Sequence, residues 1–332
     1  MSAEVVAEAG GVCGDDGCVV RGGFVMRRVL LGLGMVVFCG VALAQSTSWP
    51  AGPEHAVVTL WPQGAPGPNT TTGPEAETST AASPMIAGRW VARVGNVSVP
   101  TLTVYAAKGA GNGAGVVVLP GGAYKILAMD LEGTEVCDWL TARGVACFLL
   151  KYRVPGTGPY PKSDEALADA QRAVGLVREH AAEWKVDAKK IGVLGFSAGG
   201  HLAAAVSTHY EKRLYAKVDA ADELSCRPDF AVVVYPGYLA DAENGMKFSA
   251  DIPVTKDTPP TFLVQAEDDP VHVENAVEYF LALKGVGVPA ELHVYAEGGH
   301  GYGLRQTMLP VTGWPDLVDV WMKTIGVTPV GR

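Results

Sequence analysis

Two short runs, Val116-Val117-Val118-Leu119 and Val232-Val233-Val234, are apolar at every position rather than at every second one. A strand of that kind is buried on both faces, as in a parallel sheet sandwiched between helices. Strand-like runs recur at 97–105, 115–119, 145–152, 191–194, 230–235, 261–265 and 291–295. Stretches with helical spacing lie between and after them, at 132–142, 163–185, from 198 onward, 273–284 and 317–322. The clearest is 163–185, where Leu167, Ala170, Val174, Val177, Ala181 and Trp184 recur at intervals of three and four and so share a face. Strands alternating with helices imply an α/β fold: a mostly parallel sheet of about eight strands with helices on both faces.

A chain of 332 residues, 48% apolar and 18% charged, can bury a large core and does not have the composition of a disordered protein. Its net charge of -9 and the lack of a Lys/Arg stripe argue against nucleic acid as a partner. There is no C-x-x-C and no Cys/His ligand spacing, so neither a metal nor another cofactor is expected. At the N-terminus, Met26-Arg27-Arg28 precedes an apolar run at 29–43 that ends Ala42-Leu43-Ala44. A basic start, a short apolar stretch and a small-x-small site are the parts of a secretory signal peptide, so 26–44 reads as one and 1–25 as sequence upstream of the true start. The mature chain is then expected in the periplasm or outside the cell, with no membrane span. Cys137, Cys147 and Cys226 remain after cleavage. They allow one disulfide, but lone buried thiols are the expectation. The stretch 62–84, rich in Pro, Gly, Thr and Ser, reads as extended and poorly packed. The organisation expected is therefore a leader over 1–44, an extended segment over 45–96 and one catalytic domain over 97–332.

Gly195-Phe196-Ser197-Ala198-Gly199 is a G-x-S-x-G. The pentapeptide alone is weak evidence, but here a buried-strand pattern runs into it and a small-residue helix leaves it. That context makes Ser197 a nucleophile on a strained strand-to-helix turn, with the Ala198 N–H at the helix start aimed at a developing oxyanion. A second donor is expected from Leu119-Pro120-Gly121-Gly122-Ala123-Tyr124, which follows the strand at 115–119; Gly122 or Ala123 is the candidate. The acid should follow the strand at 261–265, where Glu267, Asp268 and Asp269 compete. Asp269, just before Pro270-Val271, is the choice, with Asp268 its chief rival. The base is His300 in Gly298-Gly299-His300-Gly301, on a strand-exit loop that completes the chain order Ser, Asp, His.

With these residues in place, the chain resembles the α/β-hydrolase superfamily, and within it bacterial exported esterases of the acetyl xylan esterase and feruloyl-esterase-like type. The likeness runs from about Val97 to Trp321. It rests on LPGGAY at 119–124, KYRVP at 151–155, DAQRAV at 169–174, IGVLGFSAGGHLAA at 191–204, PPTFLVQAEDDPV at 259–271 and GGHGYGL at 298–304. It implies Ser197, Asp269 and His300 as triad and Gly122, Ala123 and Ala198 as oxyanion donors. Where related lipase-type esterases carry His-Gly-Gly-Gly, this chain has Pro120-Gly121-Gly122-Ala123, which alters the support of that loop. Asp169 and Arg172 read as structural, and Lys151, Tyr152 and Arg153 as scaffold or cleft lining.

Only 236–260 separates two successive strands after the nucleophile, too little for a large cap domain. An open cleft suits a bulky ester, and Tyr124, Tyr238 and Tyr302 are candidate faces for stacking on sugar. The expected reaction is ester hydrolysis through an acyl-enzyme, most of all deacetylation of plant polysaccharide or its oligosaccharides. A general small-acyl carboxylesterase is the alternative. A prolyl-oligopeptidase-type peptidase is disfavoured by the missing N-terminal propeller.

Overall fold

The computed structural model describes residues 50, 52–157 and 164–329. The signal peptide expected at 26–44 lies outside the described residues. In chain order the strands and helices are β1 Ala56–Thr59, β2 Ala76–Glu77, β3 Arg93–Gly95, β4 Thr101–Tyr105, β5 Gly115–Leu119, β6 Ile126–Ala128, α1 Glu135–Ala142 and β7 Ala146–Lys151. They continue as α2 Asp164–Glu179, β8 Ile191–Phe196, α3 Ala198–Thr208, β9 Ala231–Val234, β10 Ala240–Asp241, β11 Lys247–Phe248, β12 Thr261–Ala266, α4 Glu274–Gly285, β13 Ala290–Tyr295 and α5 Trp314–Thr324.

Eight strands form one sheet in the order β1-β4-β7-β5-β8-β9-β12-β13. From β7 to β13 every pairing is parallel, while β1 and β4 add an antiparallel edge. Every residue of β5, β8, β9 and β12 is buried, which requires cover on both faces and matches the unbroken apolar runs of the sequence. On the helical cover, α1 meets the start of α5 through Trp139 and Trp314, whose ring centroids are 6.3 Å apart. This is the α/β architecture expected.

The α2 helix is buried more completely than its apolar stripe foretells: Glu165 to Val177 are all inaccessible, polar residues included. The polar side is satisfied by partners distant in sequence. Asp169 accepts from Trp61 Nε1 at 2.7 Å and pairs with Arg153 at 2.8 Å, while Arg172 donates to Leu60 O and pairs with Asp219. Gln171 Nε2 donates to His209 O at 2.6 Å. Buried charge is tolerable only when paired in this way. Asp169, Arg172 and Arg153 are therefore scaffold.

Two expectations need correction. The body of the fold does not begin at Val97, and the segment before it is not merely extended. Strand β1 completes the edge of the large sheet, Leu60 and Trp61 belong to the core, and β2 and β3 form a second sheet with β6. Proline and glycine obscured this, because short strands of two or three residues leave no periodic trace. Second, Cys137 and Cys147 are not lone thiols but form a disulfide between α1 and β7, with Cα atoms 5.2 Å apart. Their spacing of ten residues carries no signal; only the packing of α1 on β7 brings them together. Cys226 is free and buried. Between β9 and β12 the chain holds only the β10–β11 hairpin, a short 3-10 helix at Ala242–Asn244 and turns, so among the described residues no large cap covers the ends of the strands.

Candidate active site

Strand β8 delivers Phe196 into the core, and the chain then reverses into α3 through Ser197, whose φ is +52° and ψ −117°. A non-glycine residue there is strained, and the surrounding structure must hold it. Ser197 N–H donates to Val234 O at 3.0 Å on the neighbouring strand, which pins the turn. The flanking glycines are sterically required. A Cβ on Gly195 would overlap the Gly199 carbonyl, and one on Gly199 would overlap the Leu119 carbonyl.

The loop after β13 brings His300 over this turn. Its Nε2 lies 2.8 Å from Ser197 Oγ and its Nδ1 lies 2.9 Å from Asp269 Oδ2. Asp269, on the loop leaving β12, is 4% exposed. Its Oδ2 also accepts from Gln265 Nε2 at 3.0 Å, and its Oδ1 from Val271 N–H at 2.7 Å. A carboxylate only accepts, so Nδ1 carries the imidazole proton and Nε2 is left to accept from the serine hydroxyl. Asp268 has a different task. Its Oδ1 accepts from the N–H groups of Gly298 and Gly299, at 2.9 and 2.7 Å, and so ties down the loop that carries His300. Of the competing acids, the structure brings Asp269 to the histidine ring and Asp268 to the backbone of the two glycines that precede the histidine.

The loop after β5 lies beside Ser197. Gly122 has φ +136°, and Ala123 and Tyr124 have φ +55° and +57°. This succession of positive φ values turns the backbone towards the cleft. Among the described residues, the N–H groups of Gly122, Ala123 and Ala198 donate to no protein acceptor. Three donors beside the serine, one of them at the N-terminus of α3, make a place where an oxyanion can be held.

Under that loop sits a residue that the sequence did not mark. Glu132 is 4% exposed; its Oε2 accepts from Gly121 N–H at 2.7 Å and its Oε1 from the Tyr235 hydroxyl at 2.9 Å. The Tyr235 hydroxyl in turn accepts from Gly303 N–H at 3.1 Å, and the Tyr235 ring meets His300 edge-on at 5.0 Å. Glu132 and Tyr235 thus strap the donor loop to the histidine loop. Burial pushes the Glu132 carboxyl above the ordinary carboxylate value, against the hydrogen bonds from Tyr235 and Gly121 and the charges of His300 and Arg93 that pull it down. Tyr152 adds a second support, donating from its hydroxyl to Pro120 O at 2.5 Å. This is the loop support that stands where the His-Gly-Gly-Gly pattern is missing.

Glu132→Gln keeps the size but cannot accept from both Gly121 N–H and Tyr235 Oη, since one end of an amide only donates. We expect kcat to fall about tenfold to a hundredfold with a smaller change in KM, because a displaced donor loop weakens the transition state more than the bound ester. Steady-state kinetics beside a thermal melt checks this; a lower melting temperature with unchanged kcat would assign Glu132 to stability alone.

Ser197, His300, Gly122 and Ala123 line an open cleft of about 860 Å³, together with Glu132, Tyr238 and an apolar wall that includes Ile86, Val91, Ile126 and Leu131. Of the three tyrosines considered as sugar-stacking faces, only Tyr238 qualifies: it is 36% exposed and lines the cleft. Tyr124 is 4% exposed, with its hydroxyl 2.8 Å from His201 Nδ1 and its ring stacked under Tyr238 at 6.1 Å. Tyr302 is 5% exposed and packs on Tyr235 at 4.5 Å. Both are props behind the cleft, which a motif cannot distinguish from its surface. Among the described residues no cluster of His, Cys, Asp and Glu is arranged to hold a metal ion.

Comparison with known proteins agrees with this layout. The family model BD-FAE matches residues 102–236. An acetylxylan esterase of Xylanibacter ruminicola is 30% identical over 217 residues, which are 58% of this chain and 42% of that protein. The endo-1,4-beta-xylanase B of Butyrivibrio fibrisolvens is 30% identical over 204 residues, 56% of this chain and 32% of that one. The chain therefore spans less than half the length of these two curated relatives. A solved structure, the acetyl ester-xyloside bifunctional hydrolase from Caldicellulosiruptor lactoaceticus, superposes with a TM-score of 0.63 at 34% identity, covering 82% of this chain and 97% of the other. The chain belongs to the α/β-hydrolase superfamily, and the relatives it matches include an esterase named for acetylxylan.

Proposed function

We propose that this protein is an exported serine esterase that removes acetyl groups from plant polysaccharide or its oligosaccharides. The hydrogen-bonded chain from Asp269 through His300 to Ser197, at the floor of an open cleft, carries the reading. In the first half-reaction, Ser197 Oγ attacks the acetyl carbonyl carbon as its proton passes to His300 Nε2. Asp269 holds the ring and stabilises the imidazolium. The Ala198 N–H, with that of Gly122 or Ala123, receives the charge on the carbonyl oxygen. The C–O bond to the sugar then breaks, and His300 returns the proton to the leaving alkoxide. In the second half-reaction water, deprotonated by His300, attacks the acyl carbon; the bond to Ser197 Oγ breaks as His300 returns the proton to that oxygen, and acetate is released. No step needs a cofactor.

Carbohydrate as the alcohol is supported by the curated relatives, by the absence of a large cap and by Tyr238 as an exposed ring at the cleft. The solved relative is also named for xyloside hydrolysis. Glycoside cleavage ordinarily uses two carboxylates flanking the bond. Glu132 is the one carboxylate among the residues lining this cleft, and both its oxygens are engaged, so the proposal is confined to esters. The apolar wall favours a second reading, a carboxylesterase for small acyl esters. Export is supported by the segment at 26–44 and by the Cys137–Cys147 disulfide, which suits an oxidising compartment. No helix among the described residues is long and apolar enough to cross a membrane.

The test is acetate release from acetylated xylan and its oligosaccharides beside p-nitrophenyl esters of increasing chain length. We expect acetylated oligosaccharides to give the highest kcat/KM and the p-nitrophenyl series to fall beyond the shortest acyl groups. Cleavage of the short p-nitrophenyl esters without acetate from xylan would replace the carbohydrate reading with the small-ester one, and a rate that rises with chain length would overturn both.

A further inference from the structure

The cleft carries positive charge that ester hydrolysis itself does not use. Along the chain entering β3, alternate residues face opposite ways: Val91 and Arg93 line the cleft, whereas Val94 joins the core. Strand β6 does the same across the ladder. Arg93 pairs with Ala128 and Gly95 with Ile126, and both Ala128 and Ile126 line the cleft. One face of the small β2-β3-β6 sheet is therefore a wall of the site, apolar except for the Arg93 guanidinium. Lys125, next to Ile126, stands exposed at the same wall.

Neither cation is held in a salt bridge. Among the described residues, no salt bridge joins Arg93 or Lys125 to a carboxylate; Arg93 Nη1 donates to Val91 O at 3.4 Å, and its charge also acts on buried Glu132 under the donor loop. Glu132 itself is buried at the cleft floor and already accepts two hydrogen bonds. This pair lines the cleft of a protein of net charge -9, in which several other cations are committed to carboxylates, as with Lys151 to Glu75 and Arg305 to Asp130 and Glu135.

We propose that Arg93 and Lys125 form an anion subsite that reads a carboxylate on the alcohol side of the ester, such as a uronate branch beside the acetylated sugar. The proposal rests on the esterase reading and deepens it. The apolar wall accommodates the sugar ring faces, and the guanidinium fork matches a carboxylate in two parallel hydrogen bonds. Two cations held about 6 Å from a carboxylate in a water-like dielectric favour it about tenfold, an effect that salt screens.

The experiment compares acetylated xylo-oligosaccharides carrying a glucuronate branch with the same compounds after reduction of the carboxyl to an alcohol. The readout is the ratio of kcat/KM for the charged substrate to that for the neutral one. We expect a ratio of about ten in the unmodified protein at low salt, falling towards one in 0.5 M NaCl and in the Arg93→Gln/Lys125→Gln double variant. Lys125→Gln alone changes an exposed side chain, folds normally, and is expected to lower the ratio about threefold. A ratio near one in the unmodified protein, or one that survives the double variant, would overturn the subsite. A parallel pair of p-nitrophenyl esters, hemisuccinate against butyrate, asks whether the charge is read on the acyl side instead; a preference for hemisuccinate that the variants abolish would overturn the glycan assignment. Failure to cleave p-nitrophenyl acetate at all would remove the esterase reading, whereas cleavage without charge preference would remove only this inference.

Discussion

Ser197→Ala is expected to lower kcat by about five to six orders of magnitude and to leave the fold intact. The substitution removes one oxygen and nothing else. Alanine keeps the Cβ, so the strain at φ +52° is unchanged, and the backbone bond from residue 197 to Val234 O is kept. Gly195 and Gly199 still clear their neighbours, because neither contact involves the hydroxyl. What is lost is the acceptor of the acyl group, and His300 Nε2 loses its partner at 2.8 Å. The remaining N–H donors still bind the carbonyl, so KM should change little while the acyl-enzyme is never formed. Activity is measured as acetate release, with a circular dichroism melt to establish folding. Mass spectrometry after a mechanism-based phosphonate should label the unmodified protein at Ser197 and leave the variant unlabelled. Turnover within tenfold of the unmodified protein would place the nucleophile elsewhere.

The turn that carries Ser197 was readable because its signals are local. A strand with no polar positions, a glycine two residues either side of the serine and a small-residue helix all fall within 191–208. The sheet was readable for a similar reason: parallel strands buried on both faces write unbroken apolar runs, and β5, β8, β9 and β12 are such runs. The supports of the site write no such pattern. Glu132 reads as an ordinary acid near the start of a helix, where carboxylates commonly sit in water against the helix dipole. It instead lies in a π-helical turn, Asp130–Thr134, that turns it inward beneath Gly121. Its partner Tyr235 is 103 residues away, and no periodicity links the two. The same holds for Cys137 with Cys147 and for Trp61 with Asp169: each pairing is created by the topology. The small sheet was hidden by its strands of two or three residues, yet it supplies the Arg93 wall of the cleft. These contacts are made by the topology and leave no local pattern, which is what kept them out of view.

The choice between neighbouring carboxylates gives the second large effect. Asp269→Asn is expected to lower kcat about 10³- to 10⁴-fold, by analogy with the loss seen when a triad acid becomes an amide. The cause is the tautomer. Asp269 Oδ2 accepts from His300 Nδ1 and from Gln265 Nε2 at the same oxygen, while Oδ1 accepts from Val271 N–H. An asparagine must place its NH₂ at one of these two sites, opposing either Gln265 and the histidine proton or the backbone N–H. With NH₂ towards His300, Nδ1 is forced to accept, the proton moves to Nε2, and the ring can no longer take the serine proton. Asp268→Asn should cost only about tenfold, since its remaining oxygen can still accept from Gly298 and Gly299. Asp268→Ala removes that acceptor and should cost more, about a hundredfold, through displacement of His300 rather than loss of its partner. Burst kinetics with p-nitrophenyl acetate separates the two causes. The asparagine at 269 should slow acylation throughout, whereas a loosened loop should be partly rescued at low temperature. If the order of the two asparagine variants were reversed, with 268 the more damaging, the carboxylate that serves His300 in solution would not be the one 2.9 Å from its ring.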